Sequence, residues 1–148
     1  MKFNKLPKNQ RDALNVYVKL MRATNIATNR IHTHLAQDNL TLSQFAVLEA
    51  LYHLGPLTQS QLGERILKSN ANLTTVVDTL EKKKLAVRKR SKTDRRKITV
   101  HLTESGEALI AKVFPRHAKI VSNELRFLSA TDKVQLTALL KRFQTAED

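Results

Sequence analysis

The chain has no cysteine, only three glycines and three prolines, and few aromatic residues, which make up 5% of its 148 positions. The absence of cysteine excludes disulfides, thiolate metal sites and regulation by thiol oxidation, and it favours a cytoplasmic protein. Glycine and proline most often interrupt regular structure, so their scarcity predicts an ordered, helix-rich chain. Apolar residues make up 41% of the chain, which is enough to bury a core.

Long apolar runs are also absent. No stretch approaches the roughly 20 apolar residues that span a bilayer. The N-terminal segment is basic but has no apolar region behind it, so we expect neither a membrane span nor a secretory signal. The length fits one domain, or one domain with a dimerising extension.

Acidic residues are scarce relative to basic ones. The chain has 13 aspartate and glutamate residues against 26 lysines and arginines, for a formal net charge of +13. This excess predicts a polyanionic partner, with nucleic acid first and an anionic membrane surface second. Ten of the basic residues fall in the 16 positions of 82–97.

Residues 85–102 predict a β-hairpin. Apolar and polar residues alternate on both sides of a polar turn, which is the pattern of half-buried strands. We expect Ile98, Val100 and Leu102 to anchor the hairpin to a core, while Arg88 and Arg90 line a flank. An ordered hairpin with this much like charge requires an anionic partner.

Three helices are expected before the hairpin and after a long helix over 8–38. Capping boxes of the form T-x-x-Q at Thr41 and Thr58 predict helices over 41–54 and 58–67. Ser69 is a candidate N-cap for a helix over 69–83, whose inner face is apolar. Its outer face is polar and mostly uncharged, which suits contact with base edges.

Two helices are expected after the hairpin. Thr103 is a candidate cap for a long helix, and Pro115 predicts a kink or break in it. A last helix begins near Ser129. The elements of residues 41–102 follow the order helix, turn, recognition helix and hairpin. This order fits a recognition helix in the DNA major groove, with an arginine of the hairpin in the adjacent minor groove.

The motifs in this order resemble the MarR (multiple-antibiotic-resistance regulator) family of winged-helix transcription factors. They are LTLSQFAVLEAL, LTQSQLGERI, LTTVVDTLEKK, the D-x-R motif at Asp94-Arg95-Arg96, and L-T-x-x-G at 102–106. The resemblance implies a mainly α (α+β) fold: a winged helix-turn-helix with a two-stranded β-hairpin wing and long N- and C-terminal dimerisation helices. The expected parts are a dimerisation helix over 1–38, a DNA-binding lobe over 39–103 and dimerisation helices over 104–148.

The resemblance also implies a homodimer that regulates transcription. We expect no enzyme activity and no cofactor. Such a dimer binds a pseudo-palindromic double-stranded DNA operator, usually as a repressor released by a small-molecule effector. By position, Arg96 enters the minor groove, and Asp94 holds the wing arginines through a charge-assisted hydrogen bond. The remaining expected DNA contacts are Gln59, Ser60, Ser69, Asn70, Ala71, Asn72, Thr74, Thr75, Lys82, Arg88, Arg90, Lys92 and Arg95.

Two positions depart from the family pattern. Lys84 stands where many members have glycine at the end of the recognition helix, so we expect mild strain or a different turn there. Thr75 stands where many members have arginine, so base reading at that point is expected to be weaker or different.

Relatives often bind aromatic acids or phenols, and His34, Tyr52 and Arg88 are the candidates here for such an effector site. His32 and His34 are two positions apart on a helix and so face apart, and no other histidine spacing suggests a metal site. Two alternatives stay open: an effector-independent architectural or RNA-binding protein, and a metal-responsive repressor.

Overall fold

A computed structural model describes residues 2–66 and 70–146 of the chain, and these form six α-helices and one three-stranded sheet. The helices are α1 (Lys8–His32), α2 (Leu42–Leu54), α3 (Gln59–Ile66), α4 (Asn70–Lys82), α5 (Glu104–Glu124) and α6 (Ala130–Thr145). The strands are β1 (Leu57–Thr58), β2 (Ala86–Arg90) and β3 (Ile98–Leu102), and short 3-10 helices cover Lys2–Lys5 and Thr33–Asp38. The predicted winged helix-turn-helix fold is confirmed. In the described part of the chain, every helix is too short or too polar to cross a membrane.

The chain divides into two compact units, residues 32–117 and residues 1–31 with 118–148. The hydrophobic core lies in the 32–117 unit, where α2, α3, α4, the sheet and the first part of α5 meet. The side chains that are fully buried there include Phe45, Leu48, Leu62, Leu73, Leu80, Val100 and Ile110. Burying each such side chain contributes about 1.5–3 kcal/mol. The apolar inner face expected for the 69–83 helix is confirmed, because Leu73, Val77 and Leu80 are buried.

Both capping boxes form. Thr41 Oγ1 accepts from the Gln44 main-chain N–H at 3.2 Å, and Gln44 Oε1 accepts from the Thr41 main-chain N–H at 3.1 Å. Thr58 and Gln61 repeat this exchange at 3.1 and 2.9 Å. These bonds satisfy main-chain donors that a helix start leaves unpaired. The expected N-cap Ser69 lies outside the described residues.

The long helix expected over 8–38 is wrong in its last part. Regular α-helix ends at His32, and Thr33–Asp38 is a 3-10 helix. The tighter winding accompanies the burial of two consecutive side chains, His34 and Leu35. The segment ends at Asn39, whose left-handed φ of 54° is one that asparagine adopts readily.

The hairpin forms with Ala86 opposite Leu102 and Arg88 opposite Val100. Val100 is 1% exposed and Leu102 packs against the core, as expected. Ile98 was expected to anchor the hairpin too, which is wrong: it is 41% exposed, because it pairs with Arg90 next to the polar turn.

The sheet has a third strand that the sequence did not predict. β1 is antiparallel to β3, and its Leu57 pairs with Val100. The strand has only two residues, too few to show a period-two pattern. The sheet order is therefore β1-β3-β2, with the strand that packs on the core in the middle.

The end of α4 explains two features of the sequence. Lys84 has a left-handed φ of 59°. A residue with a Cβ adopts this conformation at some cost, which agrees with the mild strain expected at this position. Its N–H bonds the Glu81 carbonyl and the Leu85 N–H bonds the Leu80 carbonyl, both at 2.9 Å, which is the Schellman arrangement. Gly106 of the L-T-x-x-G motif is needed nearby, because a Cβ there would lie 1.9 Å from the Leu85 carbonyl oxygen.

A kink or break was expected just before Pro115. A break is wrong, since α5 continues through this residue. Proline removes one helical hydrogen bond and crowds the preceding turn, at about 3 kcal/mol. Ile110 and Val113, just before it, are fully buried. The free energy gained by burying these two side chains is comparable with the cost of the proline, and it stabilises the helix.

Candidate nucleic-acid interface

The outer face of α4 is polar and uncharged over its first turns. Asn72, Thr74 and Thr75 are exposed there, and their side chains are hydrogen-bonding groups of short reach. The side chains of Asn70 and Ala71, which open the helix, lie outside the described residues, as does Ser69. The described part of this face therefore presents the amide and hydroxyl groups that suit contact with base edges and phosphates.

The start of α3 is joined to this face. Gln59 Nε2 donates to Thr74 Oγ1 at 2.6 Å, and Gln59 Oε1 accepts from Arg88 at 3.3 Å. Both ends of the Gln59 amide are thus engaged within the protein. Ser60, the next residue, is exposed at the helix start, where main-chain N–H groups favour anions.

Hydrogen bonds within the hairpin tip, residues 91–97, define its shape. Ser91 Oγ accepts from the Asp94 main-chain N–H at 3.3 Å, and Asp94 Oδ1 accepts from the Arg96 main-chain N–H at 3.0 Å. Asp94 was expected to hold the wing arginines in place through a charge-assisted hydrogen bond. The bond from the Arg96 main-chain N–H to the Asp94 carboxylate is of this kind, and it fixes the backbone from which the Arg96 side chain projects.

The cations of the tip are exposed. They are Lys92, Arg95, Arg96 and Lys97. Arg90, also exposed, donates to the Arg95 carbonyl oxygen at 3.0 Å and so braces one side of the tip. Together these side chains form a positive surface at the end of β2, the strand that contacts α4 through Arg88. Such a surface attracts phosphate regardless of sequence.

The lysines at the end of α4 have different surroundings. Lys82 is exposed in the last turn, where a cation is favoured by the helix dipole. Lys83 Nζ donates to the Asn39 carbonyl at 2.5 Å and to Gln44 Oε1 at 3.1 Å. Lys83 thus ties α4 to the capping box of α2, and sequence analysis had no signal for this contact.

A histidine cluster in the 32–117 unit was also missed. Arg116 Nε donates to His34 Nδ1 at 3.1 Å, so a neutral His34 carries its proton on Nε2. That nitrogen lies 3.2 Å from His117 Nδ1, and the His117 ring is stacked within 5.7 Å of His32. Burial, followed by the neighbouring positive charge of Arg116, lowers the pKa of His34. His34 lies 82 positions from Arg116 and 83 from His117, so no spacing pattern predicts these contacts.

The three effector candidates differ in their contacts. His34 is buried in the histidine cluster. Tyr52 packs against His53 and Phe114, and Arg88 is paired with carboxylates of α4. His34 and Tyr52 nevertheless belong to one series of ring contacts, because Phe114 contacts both Tyr52 and His117, and His117 contacts His34. Arg88 has charged partners instead.

A groove of about 580 Å³ lies elsewhere, along α2 and the end of α3. Its floor is apolar, with Ala46, Ala50 and Ile66, and its polar groups include Glu49 and Arg65. Burial raises the pKa of the Glu49 carboxyl. The described residues contain no group of three or more histidine, aspartate or glutamate side chains placed to hold a metal ion.

Known proteins share these features. The model of the MarR family matches residues 40–98. The HTH-type transcriptional regulator MhqR of Bacillus subtilis is 37% identical over 130 residues, which cover 88% of this chain and 90% of MhqR. The HTH-type transcriptional repressor NicR of Pseudomonas putida is 31% identical over 122 residues, covering 79% of this chain and 77% of NicR.

Among solved structures, Bordetella bronchiseptica BpsR matches with a TM-score of 0.80 and 26% identity, over 89% of this chain and 94% of BpsR. BpsR is described as a protein whose DNA binding is regulated by 6-hydroxynicotinic acid. MhqR and NicR are named as a transcriptional regulator and a transcriptional repressor. The family model spans α2, α3, α4, β2 and the hairpin tip in the order that the structure contains. The chain therefore belongs to the MarR family of transcriptional regulators.

Proposed function

We propose that this protein is a sequence-specific regulator that binds double-stranded DNA as a homodimer and acts as a repressor. The observation that carries the proposal is the juxtaposition of two surfaces of different chemistry. The outer face of α4 offers uncharged hydrogen-bonding groups, and the tip at 91–97 offers exposed cations. Base reading needs the first and phosphate attraction needs the second.

The apolar surfaces of α1 and α6 support the homodimer. The exposed large apolar side chains of these helices include Tyr17, Met21, Leu136, Leu139 and Phe143. A monomer rarely leaves so many apolar groups in water. A second copy of the chain with two-fold symmetry covers such a surface and places two α4 helices on a pseudo-palindromic site.

The repressor role and the effector rest on the relatives. NicR is named as a repressor, and a small aromatic acid regulates DNA binding by BpsR. We propose that an aromatic acid binds this protein in the groove along α2, with its carboxylate at Arg65 and its ring on the apolar floor. The expected result is that 6-hydroxynicotinate or salicylate releases the DNA from the protein but not from Arg65→Ala; release from both proteins would exclude the groove.

The wing arginine tests the DNA-binding part of the proposal. A duplex selected from random sequences is compared with an unselected duplex in electrophoretic shifts at physiological salt. Arg96→Ala should weaken binding to the selected duplex by roughly 10-fold or more, the size of one good groove contact, with little change in thermal unfolding. Lys119→Ala, which removes an exposed cation of α5, is the matched control and should bind as the original protein does.

Two outcomes would count against the proposal. Unchanged binding by Arg96→Ala would show that the wing is assigned wrongly. A preference of less than about 10³ for the selected duplex would favour an architectural role over regulation at specific sites.

A further inference from the structure

Arg88 differs from the other basic residues of 82–97. Its side chain is 23% exposed, whereas the other nine lysines and arginines of this fully described stretch are exposed. It lies opposite Val100 in the hairpin, on the face that packs on the core. Its guanidinium group is therefore directed toward the helices rather than along the charged outer surface of the wing.

The contacts of Arg88 join three elements. One guanidinium nitrogen donates to Asp78 Oδ1 of α4 at 2.7 Å and also to Glu81. The other donates to Gln59 Oε1 of α3 and to the Thr74 carbonyl of α4, each at 3.3 Å. The main-chain N–H of Arg88 donates to Glu81 Oε2 at 3.2 Å. A planar guanidinium group with several fixed donors suits this arrangement, and a lysine ammonium group does not.

The charge around Arg88 argues against a phosphate contact. Two carboxylates surround one guanidinium group, so a phosphate that approached Arg88 would meet the negative charge of Asp78 and Glu81. Charge-assisted hydrogen bonds of this kind are stronger than neutral ones, and they hold a side chain in one orientation. Arg88 was predicted from the sequence to contact DNA. Its contacts with Asp78 and Glu81 support a role within the protein instead.

A closed set of hydrogen bonds relates the reading face to the wing. Arg88 binds Gln59, and Gln59 in turn binds Thr74 Oγ1 at 2.6 Å. Thr74 lies on the outer face of α4, and Arg88 lies on β2, which leads to the tip. The guanidinium group of Arg88 thus connects the strand that leads to the tip with the outer face of α4.

We propose that Arg88 is a positioning residue for DNA recognition. It contacts no DNA, but it holds the wing and α4 in the relative orientation in which both reach the same duplex. This inference rests on the proposed DNA-binding function. It predicts that loss of the guanidinium group reduces affinity for the selected duplex much more than affinity for random DNA.

The experiment compares conservative and truncating variants at two positions. Arg88→Lys should lose roughly 10-fold or more in affinity for the selected duplex, nearly as much as Arg88→Ala, because the loss is of the hydrogen-bonded fork and not of the charge. Neither variant should change the salt dependence of binding to random DNA. The matched cation is Arg95: Arg95→Ala should lower that salt slope by about one unit, and Arg95→Lys should restore it.

The carboxylates supply a second, independent measurement. Glu81→Gln removes negative charge beside the DNA, so a model in which Glu81 only repels phosphate predicts tighter binding. The positioning role predicts weaker binding to the selected duplex, because Arg88 loses a charged partner. Circular dichroism and the fraction of active protein, measured by stoichiometric titration, separate this effect from loss of folded protein.

Several results would overturn the inference. The inference fails if Arg88→Lys binds the selected duplex as tightly as the original protein does. It also fails if Arg88→Ala lowers the salt slope for random DNA by about one unit. If Arg88→Lys does not fold, tighter selected binding by Glu81→Gln still overturns it. If the unmodified protein does not distinguish the selected from the random duplex, the proposed function fails and this inference fails with it.

Discussion

The two compact units of the chain differ in what they bury. Residues 32–117 contain all members of the hydrophobic core, from Leu35 to Val113. In the unit formed by 1–31 and 118–148, α1 buries only Ile31 and α6 buries no side chain. Apolar residues recur at helical spacing in both units. Periodicity alone therefore does not show whether an apolar helix face is buried in a core or exposed on the surface of the chain.

This difference has a consequence for how each unit is stabilised. The 32–117 unit contains its own core, capping boxes and sheet. The helices of the other unit leave apolar side chains such as Val134 and Phe143 largely exposed, and isolated helices gain most of their stability from packing. In the proposed homodimer, packing against a second copy would therefore stabilise this unit more than the 32–117 unit.

Leucine substitutions in the two units should have the largest and most different effects. Leu48→Ala, at a fully buried site, should lower the free energy of unfolding by about 2–5 kcal/mol at any protein concentration. Leu139, which is 55% exposed, should behave differently: Leu139→Glu should shift the monomer–dimer equilibrium, so its effect depends on concentration. Urea unfolding at two concentrations and sedimentation velocity measure both.

The control for this comparison is Leu139→Met, which keeps the apolar surface and should remain dimeric. If Leu139→Glu and the original protein dissociate at the same concentration, α6 is not part of the dimer surface. In that case the exposed apolar residues of this unit need another explanation.

A smaller effect is expected at the left-handed positions of the 32–117 unit. Lys84→Gly should raise the free energy of unfolding by about 1 kcal/mol, because glycine adopts the φ of 59° without the cost that a Cβ imposes. Asn39→Gly is the matched control, since Asn39 has a φ of 54° and asparagine tolerates this region. Thermal unfolding is the measurement, and equal gains at both positions would contradict the proposed cause.

The smallest expected effect is the change in stability with pH. It should arise in the 32–117 unit, because all five histidines of the sequence lie there. Burial lowers the pKa of His34 and of His117 below the ordinary value of 6.5. The unfolded chain then binds more protons than the folded chain as pH falls below about 6.5, so stability that is complete above this pH decreases in acid. The loss ends once pH falls through the lowered pKa values of the folded state.

Urea unfolding at pH 7.5 and pH 5.5, at one protein concentration, tests this dependence. The double variant His34→Gln/His117→Gln should show a smaller difference between the two pH values, whatever its absolute stability. His53→Gln, outside the cluster, should keep the difference. An unchanged difference in the double variant would assign the pH dependence to other groups.

Local signals in the sequence determined much of the fold. The T-x-x-Q boxes set the starts of α2 and α3, and alternation over 85–102 set the hairpin, because capping and pleating depend on neighbours within a few residues. The resemblance to the family, in which many members have glycine at this position, predicted mild strain or a different turn at Lys84, and its φ is left-handed. These are short-range properties, so they can be read without knowing what packs against them.

Tertiary structure decided the roles of particular side chains. Arg88 was one of ten basic residues in 82–97. Only the fold brought it to Asp78 and Glu81 of α4 and to the Gln59 amide of α3. Burial of Ile110 and Val113 kept α5 continuous through Pro115, and the fold brought His34 and His117 together across 83 positions. The physical reason is common to these cases: the free energy of an ion pair or a buried contact depends on residues far away in the chain, and sequence patterns do not contain those distances.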